Sequence, residues 1–151
     1  MKLSTWAEVV GIVVLILSLV FVGIEIRDNT AATRLQALLE LNVAANEMSL
    51  AITDSGEMAA IQIKGHSNLE QLSDVDRTRY RSWVYGILNV HENAFMFSSG
   101  GILDEASHAA WADSLCVLMS KHGVQVMWRS GELVFQEAFN DFIVSQCQLT
   151  Q

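Results

Sequence analysis

The stretch "EVVGIVVLILSLVFVGIEIRDNT", Glu8 to Thr30, decides how the chain is read. Sixteen uncharged, mostly apolar residues run from Val9 to Ile24, with one acid on each side, Glu8 and Glu25. A removable export signal would want a basic start and a small-residue cleavage site after its apolar core. Here Lys2 is the only basic side chain ahead of the run, and Glu8 interrupts the start. The small segment "TAAT" at 30–33 follows the charged Glu25, Arg27 and Asp28, which argues against cleavage. A buried core helix commonly uses about 10–14 apolar residues and a membrane span about 20. Trp6 and Ile26 lengthen the run at its ends, and Trp suits the headgroup level. Glu8 and Glu25 then stand about 25 Å apart along a helix, a fit to a thin hydrocarbon core. The run reads as a single membrane span, with the lipid bilayer as its partner.

Outward from the span, the rest of the chain reads as helix. Proline is absent from all 151 residues, and nine glycines fall mostly between apolar-periodic segments. Helix interiors exclude Pro, whereas loops and strand edges use it. No Pro or Gly interrupts 24–55, so the span can run on into the first soluble helix, where Leu38, Leu41, Ala45, Met48 and Ile52 form an amphipathic stripe. "TDSG" at 53–56 ends it. A short helix "EMAAIQIK" follows, closed by Gly65. Ser73 caps the next helix, whose Tyr80, Val84, Ile87, His91 and Phe95 share a face with Leu88 beside them. "SSGG" at 98–101 breaks it. Asp104 starts another helix through Trp111, Leu115 and Cys116 to Gly123. After "VQVMWRS", a last helix is expected from Glu132 to about Gln148, with Val134, Phe135, Ala138, Phe139, Phe142 and Ile143 as its apolar side. The expected fold is all-α: a membrane anchor over 1–27 and an antiparallel helical bundle over 28–151.

Charge narrows the function. The chain carries 17 acids against 9 bases, a formal charge of −8, and the excess of acids persists beyond the span. Nucleic-acid binding relies on Lys and Arg to neutralise phosphates, so it is not expected. Arg77, Arg79 and Arg81 interleave with Asp74 and Asp76 and read as a solvated face. Cys116 and Cys147 make no disulfide framework and no zinc spacing, and are expected as buried free thiols.

The opening "STWAEVVGIVVLILSLVFVGIEIRDNTAATR" resembles that of a functionally uncharacterised group of small bacterial proteins with one N-terminal span and a helical body. The matching positions are Trp6, Ala7, Glu8, Phe21, Val22, Gly23, Glu25, Ile26, Arg27, Asn29 and Thr30. "HENAF" at 91–95 and "GGILDE" at 100–105 resemble the body of that group. The resemblance implies an anchor in the bacterial inner membrane and carries over no catalytic residue. Orientation is nearly balanced, with Lys2 and the terminal amine before the span and Arg27 and Arg34 after it. The short, barely charged start is easily translocated and free thiols suit a reducing compartment, so the body is expected in the cytoplasm.

Candidate sites are few. "EASH", Glu105 to His108, has the Glu-x-x-His spacing of bundle di-iron sites, but those need a second copy and further glutamates, which the chain lacks. Glu105 is also an ordinary first-turn acid. His91, Glu92 and Asn93 stand on one turn and could hold a ligand, although a histidine on an apolar face is more often a hydrogen-bonded core residue. No phosphate-cradling loop, nucleophile elbow or metal spacing appears, so no cofactor and no enzymatic activity are expected.

Within the span, Ser4, Gly11, Ser18 and Glu25 fall seven apart, and Glu8 borders that stripe. Val13, Ile16, Val20 and Phe21 occupy the bulky opposite surface. Small residues let membrane helices approach closely, and a seven-residue repeat suits a left-handed pair or bundle. The expected function is therefore a membrane-anchored, self-associating helical module, a scaffold or sensor. The alternative is a small homo-oligomeric ion channel with glutamate rings at Glu8 and Glu25; a second alternative, a membrane-bound enzyme, has no motif to support it.

Overall fold

The computed structural model describes residues 3–149, apart from the side chains of Leu3, Ser4, Thr5 and Ala7. The fold is all-α. Among the described residues six helices follow one another: α1 Leu3–Thr53, α2 Gly56–Ser67, α3 Asp74–Ser99, α4 Glu105–Met119, α5 His122–Arg129 and α6 Glu137–Gln146, with one 3-10 turn at Leu69–Gln71. No strand occurs among the described residues.

α1 is one helix of 51 residues, as the absence of Pro and Gly after the span allows. By its internal contacts the chain divides into two units, 1–36 and 37–151, with the division inside α1. That is further along than the expected break after Arg27. Residues 28–36 are exposed, whereas Ala37 and Leu41 are buried.

The second unit is the helical body. α3 packs against α2 and α4, α2 also against α5, and α4 also against α5 and α6. Its main core joins Ile61, Tyr80, Val84, Leu88, Leu115, Met119, Val124, Met127, Phe139 and Ile143. A second cluster joins Leu41 to Val90, Ala94 and Leu103, with Leu38, Ala45 and Trp111 against it. The expected faces of α1 and α3 are thus the packed ones. Trp83 also ties α3 to α1, its indole N–H donating to the Met48 carbonyl at 3.3 Å.

Ser73 caps α3 as expected, whereas Asp104, expected as the first residue of α4, is its cap. Ser73 accepts from the Asp76 N–H and Asp104 from the Ser107 N–H, each satisfying an otherwise orphaned donor. Three expectations about helix ends need correction. Gly65 does not close α2, which continues to Ser67. α4 stops at Met119, and Gly123 lies inside α5 instead of ending α4. Both glycines are packing positions, because a Cβ on Gly123 would overlap the Gly65 carbonyl oxygen. The last helix begins at Glu137, not Glu132. Residues 132–136 stay out of helix while Leu133 is buried and Phe135 stacks on Tyr85, ring centroids 5.5 Å apart. Val134, expected on the apolar side, is exposed.

The cysteines are a further correction. Cys116 of α4 and Cys147, just past α6, form a disulfide with Cα atoms 5.1 Å apart. The packing of α4 on α6 brings together two residues 31 apart in sequence.

Candidate functional site

Two regions carry the residues singled out by sequence. The first is the N-terminal part of α1. Glu8, Gly11, Ser18 and Glu25 are all exposed on it, while the side chain of Ser4 lies outside the described residues. A Cβ on Gly11 would meet nothing within 4 Å, so the groove over it is open. The Ser18 hydroxyl donates to the Val14 carbonyl of its own helix at 2.9 Å. Thr30 and Thr33 do the same to Ile26 and Asn29. Such bonds settle a hydroxyl donor within apolar surroundings and leave the oxygen as an acceptor. Around this stripe every large apolar side chain from Val9 to Ile26 is exposed.

The second region is the "HEN" turn of α3, and the structure separates its three residues. His91 is buried, only 4% exposed, with its ring edge-on to Trp111 at 5.4 Å between centroids. Its Nδ1 has no hydrogen-bond partner among the described residues. The space it shares with Phe95, His108, Trp111 and Phe142 is about 10 Å³, room for no more than a water molecule. Glu92 reaches across to accept the Gln136 N–H at 2.8 Å. Gln136 is the residue that opens α6 and caps it with no side-chain bond of its own. Asn93 is exposed. His91 is thus a core residue and Glu92 a tie between α3 and the start of α6; the three do not form a ligand pocket.

Comparison with family models, curated proteins and solved structures found no match.

Burial has a consequence for His91. It pushes the imidazole down from 6.5 to about 4, against a smaller opposing effect of a backbone hydrogen bond with Trp111. The folded protein therefore disfavours the proton that the unfolded chain accepts. Stability from this group is complete above pH 6.5, falls as pH drops through that value, and levels off below the folded value. The full difference is about 3 kcal/mol. In urea titrations of the detergent-solubilised chain, wild type should lose about 2 kcal/mol more than His91→Gln between pH 7.5 and 4.5. Parallel pH dependences for the two proteins would remove the argument. His66 is lowered too, by burial and then by Lys121, and its Nδ1 lies 2.8 Å from the Tyr80 hydroxyl; it is common to both proteins and cancels.

Other polar constellations are structural. Glu105 is exposed at the start of α4, and His108 packs on Phe142 with ring centroids 5.6 Å apart. No group of three or more His, Cys, Asp or Glu comes together to hold a metal among the described residues. A shallow groove of about 370 Å³ is lined by Arg81, Ser82, Tyr85, Glu132, Leu133 and Val134. At its edge Arg77 and Glu132 pair at 2.9 Å. The groove brings no nucleophile beside a base. Sequence reasoning missed the Glu92 tie and the Cys116–Cys147 bond. The one available signal was that each of those residues flanks an apolar face.

Proposed function

We propose that the chain is a single-span, membrane-anchored helical module that self-associates and works as a scaffold or sensor without catalysis. The observation that carries this reading is the N-terminal helix. It is long and apolar enough to cross a membrane, with mean hydropathy 2.9 over its most apolar window and none of that window buried. Leaving so many Val, Leu, Ile and Phe side chains in water would cost about 1.5–3 kcal/mol each. Lipid removes that cost over the bulky surface, and a second helix removes it over the Gly11 and Ser18 stripe. The resemblance of the opening segment to the bacterial single-span group supports the same reading.

The disulfide bears on orientation. The expectation of a cytoplasmic body rested in part on free thiols, and the thiols are joined. Disulfides persist in oxidising compartments, and the basic residues around the span balance. The body therefore belongs on the outer, periplasmic side of a bacterial inner membrane, with the short N-terminal segment in the cytoplasm. The test is carbonate extraction with N-terminal sequencing, followed by protease treatment of spheroplasts. The expected result is an intact chain retained in the membrane with its body digested from outside. Recovery in the soluble fraction, or a start near Ala31, would defeat the anchor. A body protected in spheroplasts and digested in inverted vesicles would defeat the orientation.

A further inference from the structure

The part of α1 inside the helical body is apolar on two opposite faces. One face is packed: Ala37 and Leu41 are buried, and Ala44, Ala45, Met48 and Ile52 are partly so. The other carries Leu39, Val43, Asn46 and Leu50, in steps of four, three and four, one straight stripe on a helix. Its apolar members are bare, with Leu39 56%, Val43 57% and Leu50 45% exposed. They lie 13 or more residues past Ile26, beyond the apolar run, and nothing among the described residues covers them.

The register of this stripe says what does. If Gly11, Ser18 and Glu25 occupy position d of a heptad, d continues through Ala32 to Leu39 and Asn46. Position a then runs Glu8, Leu15, Val22, Asn29, Gln36, Val43 and Leu50. The bare stripe is d, a, d, a in the same frame as the small-residue stripe of the span, and α1 is uninterrupted between them. We infer that the Leu39–Val43–Asn46–Leu50 face docks the same face of a second copy of this chain, as a parallel two-helix seam.

A second copy is the occupant that the anchor favours. Two identical single-span chains enter one membrane in the same direction and at the same depth. Their stripes therefore meet at equal height without adjustment, and a two-fold axis closes the contact. Asn46 then faces its own copy, and one amide donates while the other accepts. In a parallel pair, position g meets position e of the next heptad. Leu35 thus meets Glu40 and Asn42 meets Glu47, so no two like charges oppose one another at these positions.

The inference rests on the self-association reading but has its own readout. Full-length protein in nanodiscs carrying Asn46→Cys is oxidised with copper phenanthroline, beside Ile63→Cys on the exposed surface of α2. Asn46→Cys should give a covalent homodimer and Ile63→Cys none. Leu39→Glu with Val43→Glu should lower the dimer population by about tenfold or more, with the circular dichroism spectrum unchanged. Dimers that survive those changes, fail to crosslink at Asn46→Cys, and dissociate with Gly11→Leu overturn the body seam and leave self-association through the span standing. A wild-type chain that is monomeric throughout overturns both. A crosslinked product of any mass other than twice the chain overturns the choice of occupant.

Discussion

Gly123→Ala should cost the body at least about 3 kcal/mol, although Ala in place of Gly inside a helix ordinarily gains about 1 kcal/mol. The reversal of sign comes from where α5 crosses α2. A Cβ on Gly123 would overlap the Gly65 carbonyl oxygen, and it would stand 3.2 Å from Leu69 Cδ2. A side chain can swing aside, but a carbonyl inside a helix cannot move without its helix. α2 has little room to give, because Gly65 itself lies under the Tyr80 ring, whose Cδ2 would be 2.6 Å from a Cβ there. Tyr80 is fully buried, and its hydroxyl is held by His66 at 2.8 Å. Three helices thus converge on two absent methyl groups. Against an ordinary total of about 5–15 kcal/mol, the loss is a large share of stability. Gly56→Ala is the control, since a Cβ there meets nothing within 4 Å, and it should leave stability unchanged or slightly raised. Urea unfolding of the detergent-solubilised chain, followed by circular dichroism, measures both. A Gly123→Ala midpoint equal to that of wild type would show that α5 and α2 do not cross this closely.

These glycines also show where sequence stopped being enough. A glycine ends a helix by entering the left-handed region or lets two helices touch by lacking a Cβ, and both uses suit a Gly at the edge of an apolar segment. Only the partner decides, and the partner of Gly123 lies on another helix. The long α1 was legible because its signal is local: an apolar run followed by a three-and-four spacing, with no Pro and, after Gly23, no Gly to stop it. The cap at Ser73 was legible for the same reason. Residues 132–136 were not. Their apolar run Leu133, Val134 and Phe135 extends the apolar side of α6 backwards, yet Glu92 on α3 accepts the Gln136 N–H and the segment turns Leu133 inward. The "HEN" turn was legible in part. His91 does share the apolar face, but its depth, its Trp111 neighbour and the outward reach of Glu92 all depend on α4 and α6.

Breaking the disulfide should lower stability by about 3–4 kcal/mol. Cys116 and Cys147 are 31 residues apart, and closing a loop of that length raises the free energy of the unfolded chain by about that much. The bond also acts where the chain leaves its last helix. Phe139 and Ile143 hold α6 in the core, but after Gln146 the chain leaves helix, and Cys147 and Leu149 only pack partly against that core. Cys116→Ser with Cys147→Ser, and wild type treated with dithiothreitol, should therefore shift the urea midpoint down together, and reductant should do nothing further to the double variant. The double variant alone would not separate a lost bond from lost packing, whereas the reduced wild type keeps both sulfurs in place. The same protein reports on orientation. Chain denatured directly from cells with a maleimide-polyethylene glycol should run unshifted on a gel and gain two labels only after reduction, as a body in an oxidising compartment requires. Two labels without reduction, together with an unchanged midpoint in dithiothreitol, would leave the two sulfurs as neighbouring thiols and return the body to the reducing side of the membrane.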